Sequence, residues 1–326
     1  MTRVIDLEAG MAMVVTDVHG DWDAYRRYRD RFLTLQANGR ADYFILTGDL
    51  IHHEGPEAED KSLEIVLDVL ALRQEIGNRL IYLLGNHEMP HIYSITLAKG
   101  KHLYTPRFEV AMAEHRAEIM ALFDTLPFYV RSRAGVTLAH AGAAAEVCDE
   151  QAVKTLFNFS HRQVLQAAVA VIETNDRPSL RRAIAKMNQQ TYDDMVRQYL
   201  AITSPDNPRY DDFLIGTIAS NFHPDFELLW AALFTRNEEQ YNKGDYELVV
   251  QAMLQAFSQG FYPQTVLVSG HMKCQNGHTQ VNQYQLRIAS ATHARPLESG
   301  VYLLLDMEKR VKTAADLLPG LASVFS

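Results

Sequence analysis

Five short polar clusters in this 326-residue chain have the residue types of a metal site. They are Asp17-Val18-His19-Gly20-Asp21, Gly48-Asp49, Gly85-Asn86-His87-Glu88, His140-Ala141-Gly142 and Gly270-His271. Asp17 and His19, two positions apart, can turn a carboxylate oxygen and an imidazole nitrogen toward one ion, and Asp49 adds a carboxylate able to bridge two. A second ion sharing Asp49 could take the amide oxygen of Asn86 and the imidazoles of His140 and His271. Such mixed oxygen and nitrogen donors suit manganese, iron or zinc. Ions held about 3.5 to 4 Å apart clamp phosphate oxygens and bring the pKa of a shared water toward neutrality. His87, beside Asn86, is then the natural proton donor to a leaving alkoxide.

Taken singly, each cluster is ordinary turn chemistry, because glycine beside Asp or Asn marks turns. Their placement argues for more. Met11 to Thr16, Tyr43 to Thr47, Leu80 to Leu84, Val136 to Ala139 and Thr265 to Ser269 are apolar runs of strand type, and each runs directly into one of the clusters. Helical patterns follow the first three, over Trp22 to Leu35, Lys61 to Ile76 and Phe108 to Leu126. In layered α/β folds ligands bind beyond the carboxyl ends of the strands, so residues scattered along the chain would converge there. Between His140 and Gly270, the stretch Glu150 to Tyr262 is dominated by helical patterns, including Arg162 to Glu173, Arg181 to Leu200 and Tyr246 to Phe257. It reads as a helical insertion or cap (150–262) within one domain spanning 1–326. Turns are expected at 203–208 and 242–245, and a closing strand at Leu297 to Asp306 with Tyr302 packed inside.

Bulk properties narrow the class. With 47% hydrophobic residues the chain can build a sizeable core. A formal charge of -9 argues against nucleic acid as a stable partner held by a broad basic surface. The two cysteines, Cys148 and Cys274, form no paired motif, so a disulfide framework or cysteine-based zinc site is not indicated. There is no signal-peptide pattern, and no run nears the roughly eighteen apolar residues of a membrane span, so a soluble cytoplasmic protein with no membrane partner is expected.

In order and spacing, the five clusters resemble the motifs of the calcineurin-like metallophosphoesterases, in particular the branch of phosphoprotein phosphatases and diadenosine tetraphosphate hydrolases. The resemblance spans nearly the whole chain. It implies a four-layer αββα sandwich with a dinuclear centre: Asp17 and His19 on one metal, Asn86, His140 and His271 on the other, Asp49 bridging, and His87 as general acid. It implies phosphorylated protein or small-molecule substrates and two divalent ions, manganese first, with iron or zinc as alternatives. By the same resemblance Asp21 would support His19 or a nearby water. Trp230 and Arg236 echo a Trp followed by an Arg upstream of the last motif in related bacterial phosphatases, making Arg236 a candidate phosphate clamp.

The chain also departs from the pattern. Where the phosphoprotein phosphatases continue the second motif with Asp-Arg, this chain has His52-His53, and Leu84 replaces an Arg before the third motif. The family's Asp at that place orients the catalytic histidine, so either Glu54 takes over or His87 is tuned differently. His53 can donate a hydrogen bond but carries no permanent charge. Lys273 stands where the nuclease-like branch has the second His of Gly-His-x-His. His293 and Arg295 follow a further apparent strand and are secondary candidates, while His91, His102 and His115 read as solvated surface. The leading expectation is a phosphatase. Hydrolysis of phosphodiesters or dinucleoside polyphosphates is the alternative, and a catalytically altered scaffold comes third.

Overall fold

The structure is a computed structural model, and it describes residues 2–99, 102–235 and 237–325. Two mixed sheets form its centre. One has five strands in the order Leu321–Ser323, Val301–Asp306, Met11–Val15, Tyr43–Leu46 and Leu80–Tyr82, the last three parallel. The other has six, in the order Val4–Leu7, Tyr129–Ser132, Val136–Ala139, Val266–Ser269, Gln285–Ile288 and His278–Asn282. Along a strand, alternate side chains face opposite ways. Ala12, Val14, Ile45 and Ile81 therefore meet Val136, Leu138, Val266, Val268 and Leu286 in one closed apolar layer between the sheets.

Met13, Val15, Phe44 and Leu46 face outward into a second continuous core, with Tyr25, Tyr28 and Phe32 of helix Trp22–Ala37 and Ile65, Val66 and Val69 of helix Ser62–Ile76. On the far side of the six-stranded sheet, Tyr129, Ala139 and Leu267 join the same core with Val250, Met253 and Phe257 of helix Lys243–Phe257. The Tyr129 and Phe257 rings meet edge to face at 4.7 Å. These are the four layers of an αββα sandwich. Of the helices from Glu150–Phe157 to Lys243–Phe257, the last packs on the six-stranded sheet, whereas Asp212–Phe222 packs on helix Met89–Tyr93 and Tyr192–Leu200 on helix Thr105–Ala111.

Several elements differ from the sequence expectation. The stretch Phe108 to Leu126 is not one helix: Thr105–Ala111 and Arg116–Thr125 are separated by a 3₁₀ turn at Ala113–His115. A straight helix would hold residues seven apart about 10 Å from each other, whereas the break lets Arg116 Nε reach Glu109 Oε2 at 3.2 Å. Arg181 to Leu200 is likewise two helices, Arg177–Asn188 and Tyr192–Leu200, because Gln189 turns left-handed and Thr191 caps the next helix by accepting from the Asp194 N–H. Asn242 is not mid-turn but the N-cap of helix Lys243–Phe257, accepting from the Asp245 N–H. The closing strand begins only at Val301, after a 3₁₀ turn at Leu297–Ser299, and Tyr302 is buried as expected.

Candidate metal centre

The five clusters converge, but from two sheets rather than one. Asp17, His19, Asp49, Asn86 and His87 stand at the ends of strands of the five-stranded sheet, and His140 and His271 at the ends of strands of the six-stranded sheet. Backbone hydrogen bonds knit the loops together: His19 N–H donates to Asp49 O, Gly20 N–H to Leu50 O and Gly270 N–H to His140 O. Across the sheets, His271 N–H donates to both Asp17 carboxylate oxygens, at 2.9 and 3.0 Å. Glu88, fully buried, accepts from the N–H groups of Asp49 and Gly85 with Oε2 and of Leu50 with Oε1. It ties the second cluster to the third.

Glycine is demanded by close approach at two places. A Cβ on Gly85 would collide with the Asp49 carboxylate and backbone N, and one on Gly270 with the Asp17 carboxylate. Asp17, His19, Asp49, His52 and His271 all have positive φ, between 45° and 72°. Each such non-glycine residue costs of order 1 to 3 kcal/mol and persists only where surrounding contacts over-determine it.

Donor atoms gather in overlapping groups: Asp17, His19 and His293; His19, Asp49 and His87; Asp49, His140 and His271. Asp49 Oδ2 lies 3.7 Å from His19 Nε2 and 3.5 Å from His140 Nε2, so one oxygen faces both sides. His140 Nδ1–H donates to Thr47 O at 2.9 Å, leaving its Nε2 as a lone pair. That lone pair points at Asn86 Oδ1, 2.7 Å away, and at His271 Nδ1, 3.2 Å away. An oxygen and a nitrogen lone pair so close repel unless a cation lies between them, and cis ligands about 2.1 Å from one ion sit about 3 Å apart. His19 repeats the arrangement. Its Nδ1 lies 3.3 Å from Ile51 O, and its buried Nε2 has no hydrogen-bond partner among the described residues.

Electrostatics agree with the donor geometry. Burial pushes the His19 imidazolium down, with His293 adding to it, to about 3, so His19 is a neutral donor. Burial, with Glu88 and Asp17 close by, pushes the Asp49 carboxyl well up. A cation among these carboxylates reverses that direction. For Asp17 burial acts upward too, but His293, His140 and His19 outweigh it and hold the group well below the usual carboxylate range. The residues therefore fit two ions.

His87 stands beside this cradle. Its N–H donates to Asp49 Oδ1 at 2.9 Å and its Nε2 is 3.9 Å from Asp49 Oδ2. Burial pushes its imidazolium well down, as do the neighbouring histidines. The cleft above, about 340 Å³, is walled by Leu97, Tyr104, Trp230 and Phe234, and the last two rings stack at 3.9 Å.

Some sequence expectations fall elsewhere. Asp21 caps helix Trp22–Ala37, accepting from the Ala24 N–H. His53 Nδ1 accepts from the Gly55 N–H, and Arg295 donates to the Thr292 and Ala294 carbonyls. Arg236 lies outside the described residues. His102 is exposed, as read, and His115 half-buried, but His91 is buried and hydrogen-bonded to His52 and Glu109. The His87 ring nitrogen is met by His52, Nδ1 to Nδ1 at 3.0 Å. Glu54 instead lines the cleft near Lys273.

A model of the calcineurin-like phosphoesterases matches residues 12–176, about half of the chain, and the protein belongs to that family. It is accordingly a metal-dependent phosphoesterase. No curated protein matches the sequence significantly. Among solved structures, it is similar to a Saccharomyces cerevisiae protein serine/threonine phosphatase described as similar to human phosphatase PP5, at 12% identity and a TM-score of 0.49, over 93% of this chain and 76% of that one. It is also similar to a cold-active protein-tyrosine phosphatase of a psychrophilic Shewanella species, at 14% identity and a TM-score of 0.45, over 94% and 78% of the two chains.

Proposed function

We propose that this enzyme is a phosphatase hydrolysing phosphate monoesters at a dinuclear centre. Asp17, His19 and Asp49, with His293 added, would hold one ion; Asp49, Asn86, His140 and His271 would hold the other. The observation that carries this is the single oxygen, Asp49 Oδ2, placed within 3.7 Å of donors on both sides. When bound, two such ions supply phosphate binding and a water acidic enough to attack at neutral pH, with manganese our first choice and iron or zinc the alternatives. His87 Nε2 faces the cleft and gives its proton to the leaving oxygen. Residues 1–326 act as one domain in this reading, with 150–262 supplying one wall of the cleft.

A second reading draws on that wall. Tyr104, Trp230 and Phe234 offer stacking faces to a nucleobase or to the second organic group of a diester, which favours phosphodiesters or dinucleoside polyphosphates. Rates on p-nitrophenyl phosphate, bis-p-nitrophenyl phosphate and a dinucleoside polyphosphate, measured on one manganese-supplemented preparation, separate the two. Chelation is expected to abolish hydrolysis, and Asn86→Ala to lower kcat/KM by at least about a hundredfold. If both leave the rate unchanged, the dinuclear reading fails.

A further inference from the structure

A line of buried side chains leaves His87 on the side away from the cradle. His87 Nδ1 is 3.0 Å from His52 Nδ1, His52 Nε2 is 2.9 Å from His91 Nε2, and His91 Nδ1 is 2.9 Å from Glu109 Oε1. The side chains of His91 and Glu109 are 0% and 1% exposed. Arg116 and Arg209 meet the other carboxylate oxygen of Glu109 at 3.2 and 2.9 Å, keeping it ionised. An ionised carboxylate only accepts, and this fixes every bond in the line. His91 must give its Nδ1–H to Glu109, so its Nε2 is a lone pair that accepts Nε2–H from His52. The Nδ1 of His52 is then a lone pair that accepts Nδ1–H from His87. The Nε2 of His87 is left toward the cleft.

We propose that Glu109, acting through His91 and His52, is the positioning residue of the general acid: its charge selects the His87 tautomer and aims Nε2 at the leaving oxygen. The proposal rests on the reading of His87 as proton donor. In the step itself, the Nε2–H bond of protonated His87 breaks, an O–H bond forms on the departing oxygen, and His87 is left neutral with its proton on Nδ1. The attacking water yields a proton to solvent and solvent reprotonates His87, so ester and water become alcohol and phosphate. Three imidazoles thus carry the influence of a carboxylate that the chain places 22 residues beyond His87.

The test compares an ester whose leaving group needs the proton, phenyl phosphate, with one that departs readily without it, p-nitrophenyl phosphate. Glu109→Gln is expected to lower kcat roughly tenfold or more on phenyl phosphate and less than about threefold on p-nitrophenyl phosphate, with KM little changed. Equal losses on both esters, or none on either, overturn the proposal while leaving the phosphatase reading intact. His52→Asp brings a carboxylate directly to His87, so in that background Glu109→Gln should cost nothing further; an undiminished loss overturns the proposal. Imidazole ¹⁵N spectra of the metal-free protein supply a readout independent of turnover. His87 should be protonated on Nδ1 in the wild type and not uniformly so in folded Glu109→Gln, and an unchanged tautomer overturns the proposal. Should the wild type hydrolyse neither ester, the phosphatase reading fails, and the spectra alone decide whether Glu109 sets the tautomer.

Discussion

His293 stands beside Asp17 and His19 as a candidate third donor. It reaches the site from the loop after strand Gln285–Ile288, its Nδ1 is 3.4 Å from Asp17 Oδ1, and its ring centroid is 4.7 Å from that of His19. Replacing it with alanine is expected to weaken the ion on the Asp17 side at least tenfold and leave the other nearly untouched, as read by competition with a chelator. Equal retention of both ions would remove His293 from the donor set. The six ligand candidates and His87 were legible in the sequence because each follows an apolar strand directly, so local pattern and position coincide. His91 was misread for the opposite reason: its partners, His52 and Glu109, lie 39 and 18 residues away and meet it only after packing. Glu109 carried no signal at all, since a carboxylate on a short helix looks like solvated surface until Arg116 and Arg209 close over it.

At the level of elements, the loops rather than the strands set the geometry. Gly85 sits against Asp49 so closely that Gly85→Ala must push the second and third clusters apart. The expected result is a folded protein with at least tenfold weaker metal binding, checked by circular dichroism beside metal titration. Undiminished affinity would mean that the loops yield without moving the donors. The sequence placed the ends of the five strands that lead into the clusters within one or two residues, because an apolar run stops where its burial stops, but it began the closing strand four residues early. It overextended two helices. Periodicity continues through both breaks, but a 3₁₀ turn interrupts the ladder at Ala113–His115, and a left-handed Gln189 followed by the Thr191 cap interrupts it in the other. Assignment of the five strands to two facing sheets was beyond periodicity alone, since a strand buried on both faces reads the same in either sheet.

Over the whole molecule, charge buried far from the cleft has a measurable signature. Burial acts to raise the Glu109 carboxyl, but the His91 hydrogen bond and the charges of Arg116 and Arg209 hold it down at about 2, against an ordinary 4.5. A group depressed on folding stabilises the protein fully above its unfolded value and loses that stabilisation as pH falls through its folded value. The stability advantage of wild type over Glu109→Gln should therefore hold at neutral pH and shrink by up to about 3 kcal/mol as pH is lowered from about 5 to 2. Urea unfolding of both proteins measures it, and a gap that stays constant would mean Glu109 is not held ionised.

Arg209, which helps keep Glu109 charged, lies in the helical stretch 150–262, between helices Tyr192–Leu200 and Asp212–Phe222. So does Tyr246, whose hydroxyl donates to Gln285 and accepts from the Ala143 N–H just beyond His140. Trp230 and Phe234, lining the cleft, are the third such connection. Excising 150–262 would accordingly yield no minimal catalyst. The core left behind would carry a carboxylate stripped of one counterion, a loosened ligand loop and a cleft without a wall. Replacing residues 150–262 by another segment would have to supply new partners for Glu109 and Gln285.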